Sequence, residues 1–514
     1  MFRPCICAAL RPALGLALPL YLAACGSSTA PEGSVPAQSL LLYANPSVAA
    51  APNIGKPFVA GTTFSFTPFN YQEQEYFYSG VAHSYVNDAA LDQDGRWQVS
   101  VADSADYKTR MLVYRPVDPA MFNGTVIVEW LNVTGGVDTA AEWVTMHTEL
   151  LRRGYAWVGI SAQQIGVEGG TPPLGTPLPI AISLKLINPL RYASLSHPGD
   201  SFSYDIYAQA AQAIRHPQDL APLGELQIAR VIAAGQSQSA ARLTTFVNAF
   251  GPRTTLFDGY FVDSRLGYVA DFGGASAPLS QAPQSVINTP QVVRFRTDLG
   301  RPLLNQQTET DLLMLDAYHS RQSDHSQFRL WEIAGAAHAD TYISKDGFSD
   351  TGDGSAATVY ETRKNTPFSS CPEPINSAPQ HHFIANAAIH ALNTWLAEGK
   401  APPSAPRLSV NAAGDAILRD AHGNALGGIR SPYLDAPTAV LSGENSSVMS
   451  DSSICFLYGL TQLLDTATLQ SLYADHDAYV AAVTAAGQDA VNQGFLLSED
   501  LQLIILAAQQ SGVP

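Results

Sequence analysis

Charged residues are scarce in this chain, and positively charged residues are the scarcest. Only 14% of the 514 residues are charged, and 28 Lys and Arg stand against 45 Asp and Glu, which gives a formal net charge of −17. An average soluble domain has about 25% charged residues, so an unusually large share of this chain can be buried. The sequence also has no cluster of Lys and Arg of the kind that binding to nucleic-acid phosphates requires. We therefore expect no nucleic-acid partner.

Long apolar runs and internal repeats are also missing. After residue 25, no segment reaches the roughly 18 uninterrupted apolar residues of a transmembrane helix. The 39 glycines and 34 prolines are close to ordinary usage, which excludes collagen-like and low-complexity classes. The length fits either about two to three domains or one large domain with insertions.

The first 24 residues have the pattern of an export signal. Arg3 and Arg11 lie near the start of the sequence, and an apolar run follows at 13–22. This run is too short to span a bilayer and is typical of a signal peptide. It ends in Leu22-Ala23-Ala24-Cys25, which resembles the bacterial lipobox, whose cysteine carries the lipid. We predict a lipoprotein signal peptide at 1–24; the alternative is an ordinary signal peptide with a chance cysteine.

The sequence that follows favours an exported bacterial lipoprotein anchored in the outer membrane. We predict lipid attachment at Cys25 and membrane attachment through that lipid only. The next residue is Gly26, and by resemblance to such lipoproteins a residue other than Asp here favours the outer membrane over the inner one. Residues 26–48 are rich in Ser, Ala and Pro, so we predict a flexible tether at 25–58.

Only five cysteines occur in the whole sequence. Cys5 and Cys7 would leave with the signal peptide, and Cys25 is assigned to the lipid. The remaining pair, Cys371 and Cys455, would enter an oxidising compartment together, which predicts a disulfide between them. The alternative is two separate buried thiols.

From residue 124 onward, apolar strand-like runs alternate with segments of helical periodicity. This alternation predicts an α/β fold with a mostly parallel sheet flanked by helices. The predicted strands are 62–66, 109–114, 125–130, 155–160, 226–233, 257–262, 302–306 and 328–333. The predicted helices are 140–153, 203–214, 239–249, 383–398, 464–483 and 499–509.

The alternation is interrupted by irregular stretches. We predict one α/β domain at 59–514, with insertions at 163–198 and 267–290 that form a lid or the walls of a pocket. Beyond about residue 402 the pattern becomes less regular, and we treat this part as a C-terminal extension.

The strand at 226–233 and the helix at 239–249 are joined by Gly235-Gln236-Ser237-Gln238-Ser239. This string is one residue away from the G-x-S-x-G nucleophile elbow of α/β-hydrolases. Such a turn must be very tight, and Gly235 and Ser239 supply the small residues that it needs. We predict Ser237 as a nucleophile; the alternative is an ordinary turn with Ser239 as the helix cap.

A serine nucleophile needs a base, and the base needs a carboxylate that orients it. Hydrolases with this elbow place the acid and then the histidine after the serine along the chain. Asp311 follows the strand at 302–306 at the expected position, and Glu309 is the alternative acid. His338 follows the strand at 328–333 and is the predicted base.

Four other histidines compete with His338 by position. We predict that they are surface or helix-capping residues, because that is the usual place of a lone histidine. They are His319, His325, His381 and His382.

Ester or amide cleavage also needs two backbone N–H groups that stabilise the oxyanion. One is predicted to come from Gln238, the residue after the nucleophile. The other should come from the loop at 131–136, where Gly135 and Gly136 let the backbone approach a substrate closely. Within that loop we select Val133.

Together these segments resemble an α/β-hydrolase-domain family of large bacterial esterase-like proteins, over roughly residues 60–510. The resemblance implies a serine hydrolase fold and ester chemistry but no particular substrate. Ser239 departs from the glycine of the general hydrolase pattern but fits the pattern of this family. The segments that carry it are 128–136, 197–200, 235–239, 307–311, 335–340 and 427–437.

The sequence therefore predicts a serine esterase that cleaves carboxylic esters of neutral or hydrophobic small molecules. The alternatives are an amidase or peptidase with the same residues, and a surface lipoprotein that binds a ligand without catalysis. No cofactor and no metal are predicted, because the acidic string at 350–354 does not have the ligand spacing of a calcium loop.

Overall fold

A mostly parallel sheet forms the centre of the fold. The computed structural model describes residues 39–170, 182–267, 292–361, 364, 370–445 and 454–513. Within these residues the sheet has nine strands, namely β1 Ser47–Ala50, β2 Tyr71–Asn87, β3 Val99–Pro116, β4 Thr125–Trp130, β5 Ala156–Ile160, β6 Arg230–Gln236, β7 Gly259–Asp263, β8 Leu303–Thr308 and β9 Phe328–Ile333. Their order across the sheet is β1-β2-β3-β5-β4-β6-β7-β8-β9.

The strands from β4 to β9 are parallel to one another, whereas β1, β2 and β3 pair in antiparallel fashion. Every residue of β4 is buried, as expected for a parallel strand that is covered on both faces. The fold class predicted from the sequence is therefore confirmed.

Helices cover both faces of the sheet. In the described part of the chain they are α1 Ala141–Arg152, α2 Gln164–Glu168, α3 Leu184–Ile187, α4 Pro189–Tyr192, α5 Ser203–Arg215, α6 Gln238–Ala249, α7 Glu309–Leu313, α8 Thr341–Ser344, α9 Gln380–Glu398, α10 Pro432–Asp435, α11 Thr466–Leu472, α12 His476–Gln493 and α13 Ser498–Gln510. None of these helices combines the length and the apolar character needed to cross a bilayer.

The core is divided by the sheet into two layers. Val126 and Val128 of β4 belong to one hydrophobic cluster with α5 and α6. Ile127, between them, belongs to a second cluster with α1 and α9. Alternate residues of a strand face opposite sides of a sheet, so the two helical layers are built on the two faces of the same strands.

Several strand predictions differ from the structure. The run predicted at 226–233 forms a strand only from residue 230, and β6 continues to residue 236. Residues 62–66 do not form a strand; instead the ring of Phe66 packs 4.4 Å from that of Tyr114, and the ring of Phe64 packs 5.4 Å from that of His147. The alternation of apolar residues there reflects this packing against β3 and α1. The predicted strand at 109–114 is only part of β3, which pairs with β2 along almost its whole length.

Part of the predicted tether is folded. Ser47–Ala50 pairs with residues 76–79 at the edge of β2, and Val48 is buried in the core. This pairing satisfies backbone groups that the edge of β2 would otherwise expose. Residues 25–38 of the tether, the signal peptide at 1–24 and Cys25 lie outside the described residues, as do 171–181 and 268–290 of the two predicted insertions.

The C-terminal extension adds a small two-stranded sheet, β10 Ala439–Ser442 and β11 Leu460–Leu463. Leu441 of β10 and Leu408 pack in one hydrophobic cluster with Leu312 of α7 and Ala334, which follows β9. The extension is therefore packed against the edge of the main sheet where β8 and β9 end.

A disulfide joins Cys371 to Cys455 across 84 positions of sequence, and both residues are buried. It links the segment that precedes α9 to the C-terminal extension. The pairing is the one that cysteine counting predicted.

The disulfide should contribute strongly to stability, because it closes a long loop in the unfolded chain. We expect the double variant Cys371→Ala/Cys455→Ala to lose about 4–5 kcal/mol of unfolding free energy in urea titrations. Addition of a reductant should destabilise the wild type toward the variant and leave the variant unchanged. Identical unfolding midpoints for the oxidised wild type and the variant would contradict this expectation.

Candidate active site

Ser237 occupies a strained turn between β6 and α6. Its backbone angles are φ 63° and ψ −121°, a conformation that non-glycine residues adopt only when the surroundings enforce it. A Cβ atom at Gly235 would lie 3.1 Å from the backbone C and O atoms of Ser239, so a larger residue there would crowd the turn. The Ser237 N–H donates to the carbonyl oxygen of Asp263 at 3.0 Å.

Ser239 takes the place of the third small residue of the elbow. Its hydroxyl is buried and donates to the carbonyl oxygen of Gln236 at 2.8 Å. The extra hydroxyl relative to glycine is thus satisfied within the turn, which explains how serine fits here.

The structure brings Ser237, His338 and Asp311 into one chain of hydrogen bonds. The Nε2 atom of His338 lies 2.7 Å from the Ser237 Oγ, and its Nδ1 atom lies 2.6 Å from Asp311 Oδ1. Ser237 follows β6, Asp311 lies in the first turn after β8, and His338 follows β9. The three groups meet because parallel strands end at one edge of the sheet.

Asp311 is held by the start of α7. Its Oδ2 accepts the N–H of Thr308 at 2.6 Å, while the Thr308 hydroxyl accepts the N–H of Asp311 at 3.3 Å, which together form a capping box. Burial acts to raise the pKa of the Asp311 carboxyl, but the His338 imidazole and these hydrogen bonds lower it below its ordinary value. The carboxylate is therefore ionised and fixed in direction.

Glu309, the alternative acid, has its carboxylate elsewhere. Its oxygens accept the N–H of Gly335 at 2.5 Å and the N–H of Gly443 at 3.1 Å, and Arg419 Nη2 lies 3.1 Å away. Burial raises the pKa of the Glu309 carboxyl, although the Arg419 guanidinium and the two N–H groups act against that rise. Glu309 contacts the loop that carries His338 rather than its imidazole.

The two predicted oxyanion donors are adjacent. The Val133 N–H donates a long hydrogen bond of 3.5 Å to the side-chain oxygen of Gln238. Gln238 is the first residue of α6, so its own N–H has no partner within the helix and lies at the positive end of the helix dipole. The Asn132 side chain donates to the Gln236 carbonyl at 3.0 Å and ties the loop to the elbow.

A buried polar network supports this side of the site. Gln238 Nε2 donates to Gln163 Oε1 at 2.7 Å, and Gln163 Nε2 donates to Asp200 at 3.0 Å. Asp200 also accepts Arg242 Nη2 at 3.0 Å. Neither Gln163 nor Arg242 was predictable as part of the site, because their hydrogen bonds join segments that are distant in the sequence.

The prediction for the other histidines is wrong for His381 and His382, which are buried at the start of α9. His381 Nε2 lies 2.9 Å from Asp263 Oδ2, directly behind the elbow. His382 Nδ1 lies 2.6 Å from the Thr145 carbonyl oxygen. The sequence did contain one indication of the His381–Asp263 pair, because Asp263 is a polar residue at the carboxyl end of a buried parallel strand.

Charge on His381 depends on its carboxylate neighbours. Burial acts to lower its pKa, but the Asp263 carboxylate, with smaller effects from Asp340 and Asp311, raises it from 6.5 to about 9. The imidazole is therefore protonated at neutral pH and forms a buried ion pair with Asp263.

Among the residues that the structure describes, no group of three or more His, Cys, Asp or Glu side chains is arranged to hold a metal ion. Within the acidic string at 350–354, the Asp350 carboxylate accepts the Tyr342 hydroxyl at 2.7 Å and the Gly352 N–H at 2.8 Å.

The His381–Asp263 pair should make stability depend on pH. In the folded state the pKa of His381 is raised to about 9, so protonation of this imidazole stabilises the fold. This stabilisation is fully present below the unfolded-state pKa of about 6.5 and is lost as the pH rises through 9. Between pH 6 and pH 10 we expect the wild type to lose on the order of 3 kcal/mol of unfolding free energy relative to Asp263→Asn/His381→Gln, measured in urea. Parallel pH curves for the two proteins would show that the pair does not titrate in this way.

Among solved structures, three esterases illustrate what the chain resembles. An esterase from Rhizomucor miehei is 10% identical with a TM-score of 0.30, over 62% of this chain and 85% of the esterase. A carboxylesterase from Lactobacillus plantarum is 13% identical with a TM-score of 0.24, over 47% and 77% of the two chains. A glucuronoyl esterase from Teredinibacter turnerae is 11% identical with a TM-score of 0.24, over 54% and 66%.

These identities and TM-scores are too low to carry an argument about activity, and no curated protein sequence matches the chain significantly. The family model of the alpha/beta hydrolase domain, however, matches residues 43–505, which is most of the sequence. The chain therefore belongs to the alpha/beta hydrolase domain family.

Proposed function

We propose that the protein is a serine esterase that hydrolyses carboxylic esters, with Ser237 as nucleophile, His338 as general base and Asp311 as the acid that orients the base. The observation that carries the proposal is the pair of hydrogen bonds, 2.7 Å and 2.6 Å long, that connects the three side chains at the strained turn. All three side chains are at least nine-tenths buried, so bulk water competes little with these bonds.

In the first half of the reaction, His338 Nε2 accepts the Ser237 hydroxyl proton while Oγ attacks the ester carbonyl carbon. The imidazolium that forms is stabilised by the Asp311 carboxylate, which accepts the Nδ1–H. His338 then returns the proton to the leaving alcohol, and the acyl group remains on Ser237. In the second half, water replaces the alcohol and the same transfers release the acid.

The developing oxyanion would be stabilised by the N–H groups of Gln238 and Val133. The Val133 N–H donates at 3.5 Å to a neutral amide oxygen, which is a weak bond. A negatively charged oxygen forms a shorter and stronger bond with the same donor. The exchange would therefore favour the transition state over the resting site.

Asp311 is preferred to Glu309 as the orienting acid because only Asp311 contacts the imidazole. Glu309 has its carboxylate occupied by Gly335, Gly443 and Arg419. For the substrate we propose neutral or hydrophobic small-molecule esters, since a chain with a net charge of −17 and only 14% charged residues does not attract polyanions.

We further propose that the protein is exported and anchored in the outer membrane through lipid on Cys25. The buried Cys371–Cys455 disulfide supports export, because such bonds persist in oxidising compartments. In a bacterial host, the wild type should sediment with the membranes and dissolve only in detergent, whereas Cys25→Ser should not carry the lipid and should leave the membrane fraction. The same distribution for both proteins would refute lipid anchoring.

Turnover of a short-chain p-nitrophenyl ester tests the proposed chemistry. Ser237→Ala removes the nucleophile and should lower kcat by about 10,000-fold or more. Ser203→Ala is a matched control, because Ser203 is also buried but lies at the start of α5, and it should retain wild-type kcat.

Three other results would refute the proposed chemistry or replace it with one of the alternatives. Retained turnover in Ser237→Ala would refute the nucleophile assignment. A wild type without turnover of any ester in a chain-length series would favour a ligand-binding protein, and faster turnover of the matching p-nitroanilide than of the ester would identify an amidase.

A further inference from the structure

The loop that carries His338 is fixed by partners outside the catalytic chain of hydrogen bonds. We call residues 334–339 the histidine loop. At its start, the Gly335 N–H donates to Glu309 and the Gly335 carbonyl oxygen accepts the Asn376 side chain at 2.8 Å. Near its end, the His338 N–H donates to the Thr310 hydroxyl oxygen at 3.1 Å. The position of the imidazole therefore depends on several elements besides β9.

The Glu309 carboxylate accepts hydrogen bonds from both the histidine loop and the C-terminal extension. Its side chain is fully buried, and besides the Gly335 N–H it accepts the Gly443 N–H at 3.1 Å, the Ser442 hydroxyl at 3.3 Å and the Arg419 guanidinium at 3.1 Å. One carboxylate oxygen thus faces the histidine loop, and the other faces the C-terminal extension.

The extension approaches the histidine loop very closely at Gly443. A Cβ atom there would lie 2.5 Å from the Thr310 N and 2.8 Å from the Ala336 carbonyl oxygen, so no side chain fits. The Thr310 hydroxyl donates to the Gly443 carbonyl oxygen at 2.5 Å. The Arg419 Nη2 atom also donates to the Ser442 hydroxyl at 2.8 Å, which fixes the guanidinium beside Glu309.

We propose that Glu309 is a positioning residue that couples the histidine loop to the C-terminal extension through Arg419, and that this coupling holds the His338 imidazole in line with Ser237 and Asp311. The proposal rests on the proposed esterase function and assigns to the extension a part in catalysis. Neither Glu309 nor Arg419 touches the three reacting side chains. They act only through the backbone of the loop.

Replacement of the carboxylate breaks the coupling at a defined point. In Glu309→Gln, one of the two oxygens becomes an NH2 group, which would face an N–H of Gly335 or the donors of the extension. Two donors cannot bond to each other, so one side of the contact is lost. Displacements of about 1 Å in a catalytic group can cost about 100-fold in rate.

The chain contains a matched control for a merely structural role. Arg321 and Glu332 form an ion pair of 2.6 Å, with side chains that are 21% and 0% exposed. The side chains of Arg419 and Glu309 are similarly placed, at 27% and 0% exposed. Glu332 also binds the extension, since it accepts the Leu408 N–H at 2.8 Å. It lies within β9 and makes no side-chain contact with the histidine loop among the described residues.

The test compares kcat, KM and thermal stability for these two pairs with a p-nitrophenyl ester. Glu309→Gln and Arg419→Gln should lower kcat by about 10- to 100-fold while KM stays within about twofold, because the coupling touches no substrate. Arg419→Lys should recover part of kcat, since it restores the positive charge. Glu332→Gln and Arg321→Gln should lose similar thermal stability but keep kcat, and Asp311→Asn should lose more kcat than Glu309→Gln.

Several outcomes would overturn the proposal. One is wild-type kcat in folded Glu309→Gln or Arg419→Gln, and another is an equal loss of kcat in the Glu332 and Arg321 controls. If Glu309→Gln does not fold, the partly exposed Arg419 and its lysine variant decide the question. Failure of the esterase function itself is distinguished by the wild type, which would then show no turnover that depends on Ser237.

Discussion

The strained backbone of Ser237 is the constraint on which the rest of the site depends. A positive φ of 63° at a serine persists only because its surroundings leave no alternative. Gly235 allows the helix to approach the strand, and the carbonyl oxygen of Asp263 on the neighbouring strand accepts the Ser237 N–H. The His381–Asp263 ion pair lies directly behind this contact. Once the serine is fixed at the carboxyl edge of the parallel sheet, Asp311 and His338 reach it from strands farther along the same edge.

The parts of this arrangement that the sequence predicted are those encoded by local patterns. The runs at 125–130 and 328–333 are short, apolar and rich in β-branched or aromatic residues, and they form β4 and β9 with the predicted boundaries. The elbow was also recognisable, because a tight turn between strand and helix restricts which residues fit. The order of serine, acid and histidine along the chain then selected two more residues that the structure places within hydrogen-bond distance of one another.

Features that depend on contacts between distant segments were not predictable in this way. Both β2 and β3 contain many polar residues, and β2 also contains Gly80, so no simple apolar alternation marked this long antiparallel pair. The burial of His381 depends on a carboxylate more than a hundred positions away. Glu309 and Asp311 are two residues apart in a polar segment, and only their tertiary contacts distinguish them: Asp311 contacts His338, whereas Glu309 contacts Gly335 and the C-terminal extension.

The C-terminal extension thus belongs to the architecture of the candidate site as well as to the fold, because it contacts the loop that carries the His338 imidazole. The proposed esterase activity requires that His338 activates Ser237. The most direct test is the rate of reaction with a fluorophosphonate, followed by intact mass and peptide mapping, in the wild type and in His338→Gln. We expect one adduct per chain, on Ser237, formed rapidly by the wild type and at least about 1,000-fold more slowly by the variant. Equal rates in the two proteins, or an adduct on another residue, would contradict it.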